Sequence, residues 1–206
     1  MKLVDKTAGY LARELNLSEA QAEVVQYGLL SLAATLLSLT VIVVISSLLG
    51  ILREALIITF TMMFFRKVSG GAHCSTLHGC IITGTAVIMA VSLASRSLEP
   101  WFGDRLFLLM LPPLLVLVSA WLYAPADVPQ KPISSPAQRS VLRTLSLFFA
   151  LAWAGVGLYL WLKHYSTLIY YYRGANLGLL WQALLLTPAG YRLMSHVSPL
   201  FSRWGA

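Results

Sequence analysis

Both cysteines and two of the four histidines of this 206-residue chain lie in one short polar segment, Arg66–Cys80. Within it, His73 precedes Cys74 directly, and His78 lies two positions before Cys80. A thiol becomes a nucleophile when a base takes its proton, and imidazole titrates in the right range to do so. A cysteine and a histidine in one segment therefore form a candidate dyad with a nucleophilic thiol, and in principle either pairing is open.

Position along the chain distinguishes the two thiols. Cys80 opens an apolar run, and the N-terminus of a helix favours the negatively charged thiolate. Cys74 lies inside the polar stretch and has no such terminus, so we expect Cys80 to be the nucleophile. Two cations at the start of the segment, Arg66 and Lys67, would add to the positive field.

A pair formed by His73 and Cys80 also sets a condition on the backbone. On a continuous helix these residues would share a face but lie about 10 Å apart along the axis, at about 1.5 Å per residue. They could not then exchange a proton directly. Gly70-Gly71 and Gly79 supply a flexible backbone, so a pair predicts that the chain leaves the helix between them.

A zinc site is the rival interpretation of this segment, because both cysteine and histidine side chains bind zinc. The spacing does not form the paired Cys-x-x-Cys pattern that many structural zinc sites use. We therefore expect neither a metal nor an organic cofactor. His164 and His196 lie far from the segment, and we assign them no catalytic role.

The chain as a whole has the composition of a membrane protein. It is 58% hydrophobic and only 11% charged, whereas soluble domains carry roughly 25% charged residues. Residues Val24–Leu52 contain no charge, and a bilayer core needs about 20 apolar residues. We predict an all-α, polytopic integral membrane protein with about six transmembrane helices.

We interpret residues 1–206 as a single membrane domain. Residues 1–17 are expected to form an amphipathic interfacial helix, and Ser18 with Gln21 resembles a capping box that starts the next helix. Four spans, with the candidate catalytic segment 66–80, are predicted within 24–124, a Pro-rich basic linker at 125–143, and the last two spans within 145–190. The individual spans are expected at 24–52, 55–65, 80–95, 106–124, 145–162 and 174–188. The run 55–65 is short for a full crossing, so a re-entrant segment stays open there.

The distribution of basic residues predicts the orientation in the membrane. With a cytoplasmic N-terminus, ten Lys and Arg residues fall on the cytoplasmic side and five on the outer side. Because cytoplasmic loops carry an excess of these residues, we expect both termini, the linker and the segment 66–80 on the cytoplasmic side. The net charge of +7 is scattered between apolar runs instead of forming one basic stripe, so we expect no nucleic-acid partner.

The pattern formed by Arg66, Gly71-Ala-His73 and Cys80 resembles the accessory gene regulator B (AgrB) family of membrane-embedded cysteine peptidases. The linker Tyr123-Ala-Pro-Ala-Asp-Val-Pro-Gln-Lys131-Pro-Ile133, the length and the amphipathic N-terminus resemble the same family, so the likeness covers most of the chain. It implies Cys80 as nucleophile and His73 as base. Arg66 and Gly71 would be supporting positions, with Lys131 in a basic substrate-binding loop. Cys74 and His78 are not part of the family pattern.

The resemblance implies a specific reaction and partners. A short AgrD-like propeptide would be cleaved through a thioester on Cys80, and its retained part would cyclise to a thiolactone or lactone quorum-sensing signal. The family also implies a homodimer in the lipid of a bacterial cytoplasmic membrane. The alternative function is a small membrane peptide transporter or exporter, in which the segment 66–80 would line a path without acyl-transfer chemistry.

Overall fold

The computed structural model describes residues 2–74, 76–102, 105–127, 133 and 135–202. Over these residues the chain forms eight α-helices and no strand, which confirms the all-α prediction. The helices are α1 Lys2–Glu14, α2 Glu19–Leu48, α3 Leu52–Ser69, α4 Leu77–Phe102, α5 Leu106–Tyr123, α6 Pro136–Leu162, α7 Ser166–Leu186 and α8 Pro188–Ser202.

Local sequence signals fix where two of the long helices begin. At α2 the Ser18 hydroxyl accepts a hydrogen bond from the Gln21 amide, and the Gln21 side chain accepts one from the Ser18 amide at 3.0 Å, which completes the predicted capping box. At α6 the hydroxyl of Ser135 caps the helix and Pro136 occupies its first turn. Because α6 starts there, residues 136–143 of the predicted linker are helical.

Four of the described helices are long and apolar enough to cross a membrane, namely α2, α4, α5 and α6. The segments 55–65 and 174–188, which we predicted as two further spans, are helical but do not meet this measure. Charged residues lie at both ends of α3, and α7 carries Arg173, Asn176 and Gln182 along its length. By length and apolar composition alone, four helices qualify as spans where we expected about six, and the all-α membrane class is confirmed.

Helix α7 lies at the centre of the bundle and packs against α3, α4, α5, α6 and α8. Its apolar side chains Leu179 and Leu186 pack with Phe65 of α3 in the largest buried cluster. Polar groups inside such a bundle need partners, since an unpaired one costs several kcal/mol (roughly 2–7). The polar residues of α7 have them: for example, Arg173 forms a 2.7 Å ion pair with Glu99 of α4.

The C-terminal helix α8 has no counterpart among the predicted elements. It begins at Pro188, directly after α7, and packs on α7 and α4. Met194 on this helix is buried in a small cluster with Ala72, Cys74 and Leu185. Helix α8 therefore covers the segment that links α3 to α4, and it forms one wall of the candidate site.

Candidate active site

Two glycines end α3 and create the break between α3 and α4. Gly70 has φ +71° and Gly71 has φ +125°, backbone conformations that residues with a Cβ rarely adopt. A Cβ on Gly70 would also lie 2.1 Å from the carbonyl oxygen of Ala126. The helix resumes only at Leu77, so the chain between His73 and Cys80 leaves the helix, as a catalytic pair requires.

The start of the linker after α5 is tied to this break. The amide of Ala126 donates a 2.8 Å hydrogen bond to the carbonyl of Ser69, and Gly70 and Ala126 form an isolated parallel bridge. Because Gly70 has no side chain, its backbone can approach Ala126 closely enough to form this bridge. The sequence placed the two segments in separate motifs, and the structure shows that they are in contact.

Arg66 and Gln182 organise the residues that follow the break. Arg66 donates from Nη1 to the side-chain oxygen of Gln182 at 3.1 Å, and from Nη2 to the carbonyl of Ala72 at 2.5 Å. Gln182 donates from Nε2 to the carbonyl of Gly70 at 2.8 Å. The amide of Ala72 donates to the carbonyl of Leu185 at 2.9 Å, so α7 is hydrogen-bonded to both the first and the last of residues 70–72.

Sequence reasoning missed Gln182, which is fully buried in α7. The available signal was a long polar side chain inside the apolar run that we predicted as the last span. Such residues in a membrane protein mark functional or structural polar contacts. The sequence pattern did not predict which residue Gln182 contacts.

Cys80 lies in the first turn of α4, as predicted, and is half-buried. Its thiol donates a hydrogen bond to the carbonyl of Cys74, with 3.5 Å between the sulfur and the oxygen. For this sulfur to act as a nucleophile, a base must take the proton of the thiol. Both cysteines are free thiols.

Cys74 has the surroundings of a structural cysteine. It is only 7% exposed, and its Sγ lies 3.9 Å from Sδ of Met194 and 3.7 Å from the hydroxyl of Thr83. Buried thiols in apolar surroundings are usually unreactive. The contrast with half-buried Cys80 supports the preference for Cys80.

His73 has exposed side-chain surface, yet its ring is substantially desolvated. Desolvation by the surrounding protein and, second, the positive charge of Arg66 lower the pKa of His73 to about 4. The imidazole is therefore neutral near pH 7 and able to accept a proton. Among the described residues, no hydrogen bond joins it to Cys80.

His73 and Cys80 do line the same cavity, which has a volume of about 410 Å³. Arg66, Cys74 and Gln182 face it as well. The rest of the wall is largely apolar and comes from α2, α3, α4, α7 and α8, with Tyr27, Ile42, Met62, Ile88, Trp181 and Met194 among its residues. A cavity of this size accommodates a few residues of a peptide beside the thiol.

The other residues singled out from the sequence are Gly71, His78 and Lys131, and they lie at different distances from the cavity or outside the described residues. Gly71 is buried beside Gln182, and a Cβ there would lie 3.1 Å from Nε2 of that residue. His78 is exposed and does not line the cavity. Lys131 lies outside the described residues. In the described part of the chain, no three His, Cys, Asp or Glu side chains group as metal ligands, so the zinc interpretation gains no support.

Comparison with known proteins agrees with the pattern in the segment 66–80. The sequence model of the family described as Accessory gene regulator B (AgrB) matches residues 4–186, which include α3, the glycine turn, α4 and α7. The chain belongs to the AgrB family. The AgrB resemblance carried by Arg66, His73 and Cys80 is thus confirmed at the level of the family.

Curated relatives include proteins that carry the same family name. An AgrB-like protein 2 of Clostridium perfringens strain 13 is 27% identical over 91% of both chains. An AgrB-like protein of Listeria welshimeri is 22% identical over 82% of this chain and 78% of its own. Protein FsrB of Enterococcus faecalis is 27% identical over 82% of this chain and 65% of its own. No solved structure matches this chain.

Proposed function

We propose that this AgrB-family protein is a membrane cysteine endopeptidase that cleaves and cyclises a short quorum-sensing propeptide of the AgrD type. The observation that carries the proposal is the helix break, through which His73 and Cys80 reach one cavity despite their spacing along the chain. Membership of the AgrB family supports the same reaction class.

In the first half of the reaction, neutral His73 takes the proton of the Cys80 thiol, and the sulfur attacks one backbone carbonyl carbon of the propeptide. The C–N bond of the tetrahedral intermediate then breaks. The leaving amine takes the proton from the imidazolium of His73. The C-terminal part of the propeptide departs, and the retained part is held as a thioester on Cys80.

In the second half, a thiol or hydroxyl of the retained peptide attacks the thioester carbon. His73 accepts the proton of the attacking group, the carbon–sulfur bond to Cys80 breaks, and the proton returns to the departing sulfur. The product is a thiolactone or lactone ring, and the enzyme is restored. A largely apolar cavity favours this route, because water would otherwise hydrolyse the thioester.

Two basic positions complete the proposed site. The guanidinium of Arg66 is held by Gln182 and Ala72 at the cavity wall, where it is suited to orient the site or bind a carboxylate of the propeptide. Lys131 would contribute to the attraction of an acidic propeptide tail. We further propose a homodimer in a bacterial cytoplasmic membrane. In this topology α3 and α7 cross the membrane in addition to the four long apolar helices, so that both termini and the site lie on the cytoplasmic side.

In the decisive experiment, the purified protein in lipid is incubated with a cognate propeptide. Mass spectrometry then detects an acyl adduct on Cys80 and a cyclic product. Cys80→Ala should lower the rate of propeptide cleavage by roughly a thousandfold or more. Removal of a catalytic nucleophile leaves only the contributions of substrate binding and of electrostatic stabilisation.

Cys74→Ala is the matched control, because it removes the neighbouring thiol from the same segment. It should retain cleavage and carry the adduct on Cys80. Normal cleavage by Cys80→Ala would refute the peptidase proposal. Loss of cleavage in Cys74→Ala, with an adduct on Cys74 in the parent, would mean that the other thiol is the nucleophile.

A further inference from the structure

The buried amide of Gln182 makes two contacts, and both reach the segment that carries the candidate catalytic groups. Its oxygen accepts from Nη1 of Arg66 at 3.1 Å, and its nitrogen donates to the carbonyl of Gly70 at 2.8 Å. These partners lie 116 and 112 positions away in the sequence. Gln182 thus connects the central helix α7 to the end of α3 and to the glycine turn.

Residues fixed by these contacts lie next to the reacting groups. Arg66 also binds the carbonyl of Ala72, which immediately precedes His73. The carbonyl of Cys74, one residue later, accepts the thiol proton of Cys80. A change in the path of residues 70–72 would therefore displace both the proposed base and the group that bonds the thiol.

We propose that Gln182 is a positioning residue of this site, which fixes Arg66 and the carbonyl of Gly70 and thereby holds residues 70–74 beside the thiol of Cys80. Its catalytic consequence rests on the proposed peptidase function. The structural role of Gln182, which is to hold residues 70–74 in place, is independent of that function. The structural role and the catalytic consequence are therefore tested separately.

The chemistry of the contacts explains why an amide occupies this position. Arg66 offers only donors and the Gly70 carbonyl only an acceptor, so the residue between them must accept and donate at once. A carboxylate can only accept, and an apolar side chain does neither. Removing the amide leaves a partly buried cation and a partly buried carbonyl each without one partner, which weakens the local structure.

Asn176 offers a matched control on the same helix. It is also a buried amide with one accepted and one donated bond, from Nε1 of Trp153 at 2.8 Å and to the carbonyl of Leu109 at 3.1 Å. It does not line the cavity. Gln182→Met and Asn176→Leu therefore each remove one accepted and one donated hydrogen bond from a buried amide of α7, and only the first change affects the candidate site.

The first test needs no substrate. In a Cys80→Ala background Cys74 is the sole thiol, and its labelling by N-ethylmaleimide, followed by mass spectrometry, reports whether the segment stays packed. Gln182→Met should raise the labelling rate about tenfold or more, because local opening becomes easier. Asn176→Leu should label at the rate of the background protein when both are well below their unfolding temperatures.

The second test measures propeptide cleavage with Cys80 present. Gln182→Met should lower kcat by about tenfold or more with KM changed by less than about twofold, since a small displacement of a reacting group affects the chemical step most. Asn176→Leu should keep kcat. If Gln182 acts partly through Arg66, the losses of Gln182→Met and Arg66→Met should combine to clearly less than their product.

Several outcomes would overturn the proposal: Cys74 remaining protected in Gln182→Met, equal effects of the two α7 variants, or fully multiplicative losses in the double variant. If Cys80→Ala cleaves like the parent, the peptidase function fails, and the labelling experiment alone decides the holding role. Should Gln182→Met fail to fold, Gln182→Glu keeps the side-chain length and the acceptor for Arg66 but lacks the donor to Gly70, and it should also increase labelling.

Discussion

The electrostatic surroundings of His73 decide which proton-transfer role it can take. Desolvation and the charge of Arg66 lower its pKa to about 4, so the ring remains neutral over the range in which an unperturbed histidine becomes protonated. A neutral imidazole accepts a proton from a thiol. The low pKa also makes this ring a weaker base than an ordinary histidine.

The pH dependence of cleavage should reflect this lowered pKa. If His73 is the base, the acidic limb of kcat/KM, which reports the free enzyme, should fall near pH 4 and not near pH 6.5. Activity should hence not fall through protonation of His73 as the pH decreases from 7 to 5.5. Loss of half the activity close to pH 6.5 would contradict this assignment.

Replacing the nearby cation should move the same limb. Arg66→Met removes a positive charge that disfavours the imidazolium, so the pKa of His73 should rise and the acidic limb should shift toward higher pH. Lys67→Met is the control, because Lys67 is exposed and is not a cause of the shift. An unchanged limb in Arg66→Met would show that Arg66 does not act on the group that titrates.

At the scale of elements, the junction between α3 and α4 depends on one close approach of two backbones. Gly70 combines a positive φ with contact to the Ala126 carbonyl, so it meets two separate requirements that a Cβ would violate. The junction in turn sets the distance between His73 on the turn and Cys80 on α4. The site therefore depends on a residue that has no reactive group.

Gly70→Ala should destabilise the protein and lower its activity. The backbone conformation of Gly70, φ +71° with ψ −147°, costs roughly 1–3 kcal/mol for a residue with a Cβ, and the clash with Ala126 adds to this. Thermal unfolding in detergent and the rate of propeptide cleavage measure the two effects. We expect a lower unfolding temperature and a reduced cleavage rate.

Gly155→Ala provides the control for this experiment. Gly155 lies in α6, is exposed, and has open space where a Cβ would go. Alanine favours a helix interior over glycine by about 1 kcal/mol, so this variant should be as stable as the parent or slightly more so. If both variants behaved alike, the backbone contact at Gly70 would not be important.

At the scale of the molecule, helix α6 connects the linker to the loop before α7. It has 27 residues and is one of the helices long and apolar enough to cross a membrane. At about 1.5 Å per residue it is about 40 Å long, which exceeds a hydrocarbon core of roughly 30 Å. Its two ends should therefore lie on opposite sides, and the excess of basic residues predicts which end is cytoplasmic.

Labelling of single cysteines can test this orientation. In a chain with both native cysteines replaced by serine, Ala137→Cys marks the start of α6 and Lys163→Cys marks its end. A maleimide that does not cross membranes should label Lys163→Cys in intact cells, and Ala137→Cys only after the cells are opened. The reverse pattern would invert the proposed topology and place the candidate site on the outer face.

The sequence alone determined those features that depend on local chemistry. Hydropathy predicted the membrane class, and Ser18 with Gln21 predicted the start of α2. A pair of His73 and Cys80 required a break that Gly70-Gly71 and Gly79 would permit, and the chain breaks at Gly70-Gly71 while Gly79 lies inside α4. Each of these signals acts over a few neighbouring residues. The reactive segment could be found for the same reason, since its cysteines and histidines are close together in the chain.

Only the tertiary structure decided which distant groups meet. The pairing of Arg66 with Gln182, the burial of Cys74 against Met194 and the contact of Gly70 with Ala126 join residues far apart in the sequence. The central position of α7 belongs to the same class, because its polar residues look unfavourable for a span until their partners are known. Such partners are set by the packing of whole helices, which hydropathy and local spacing do not encode.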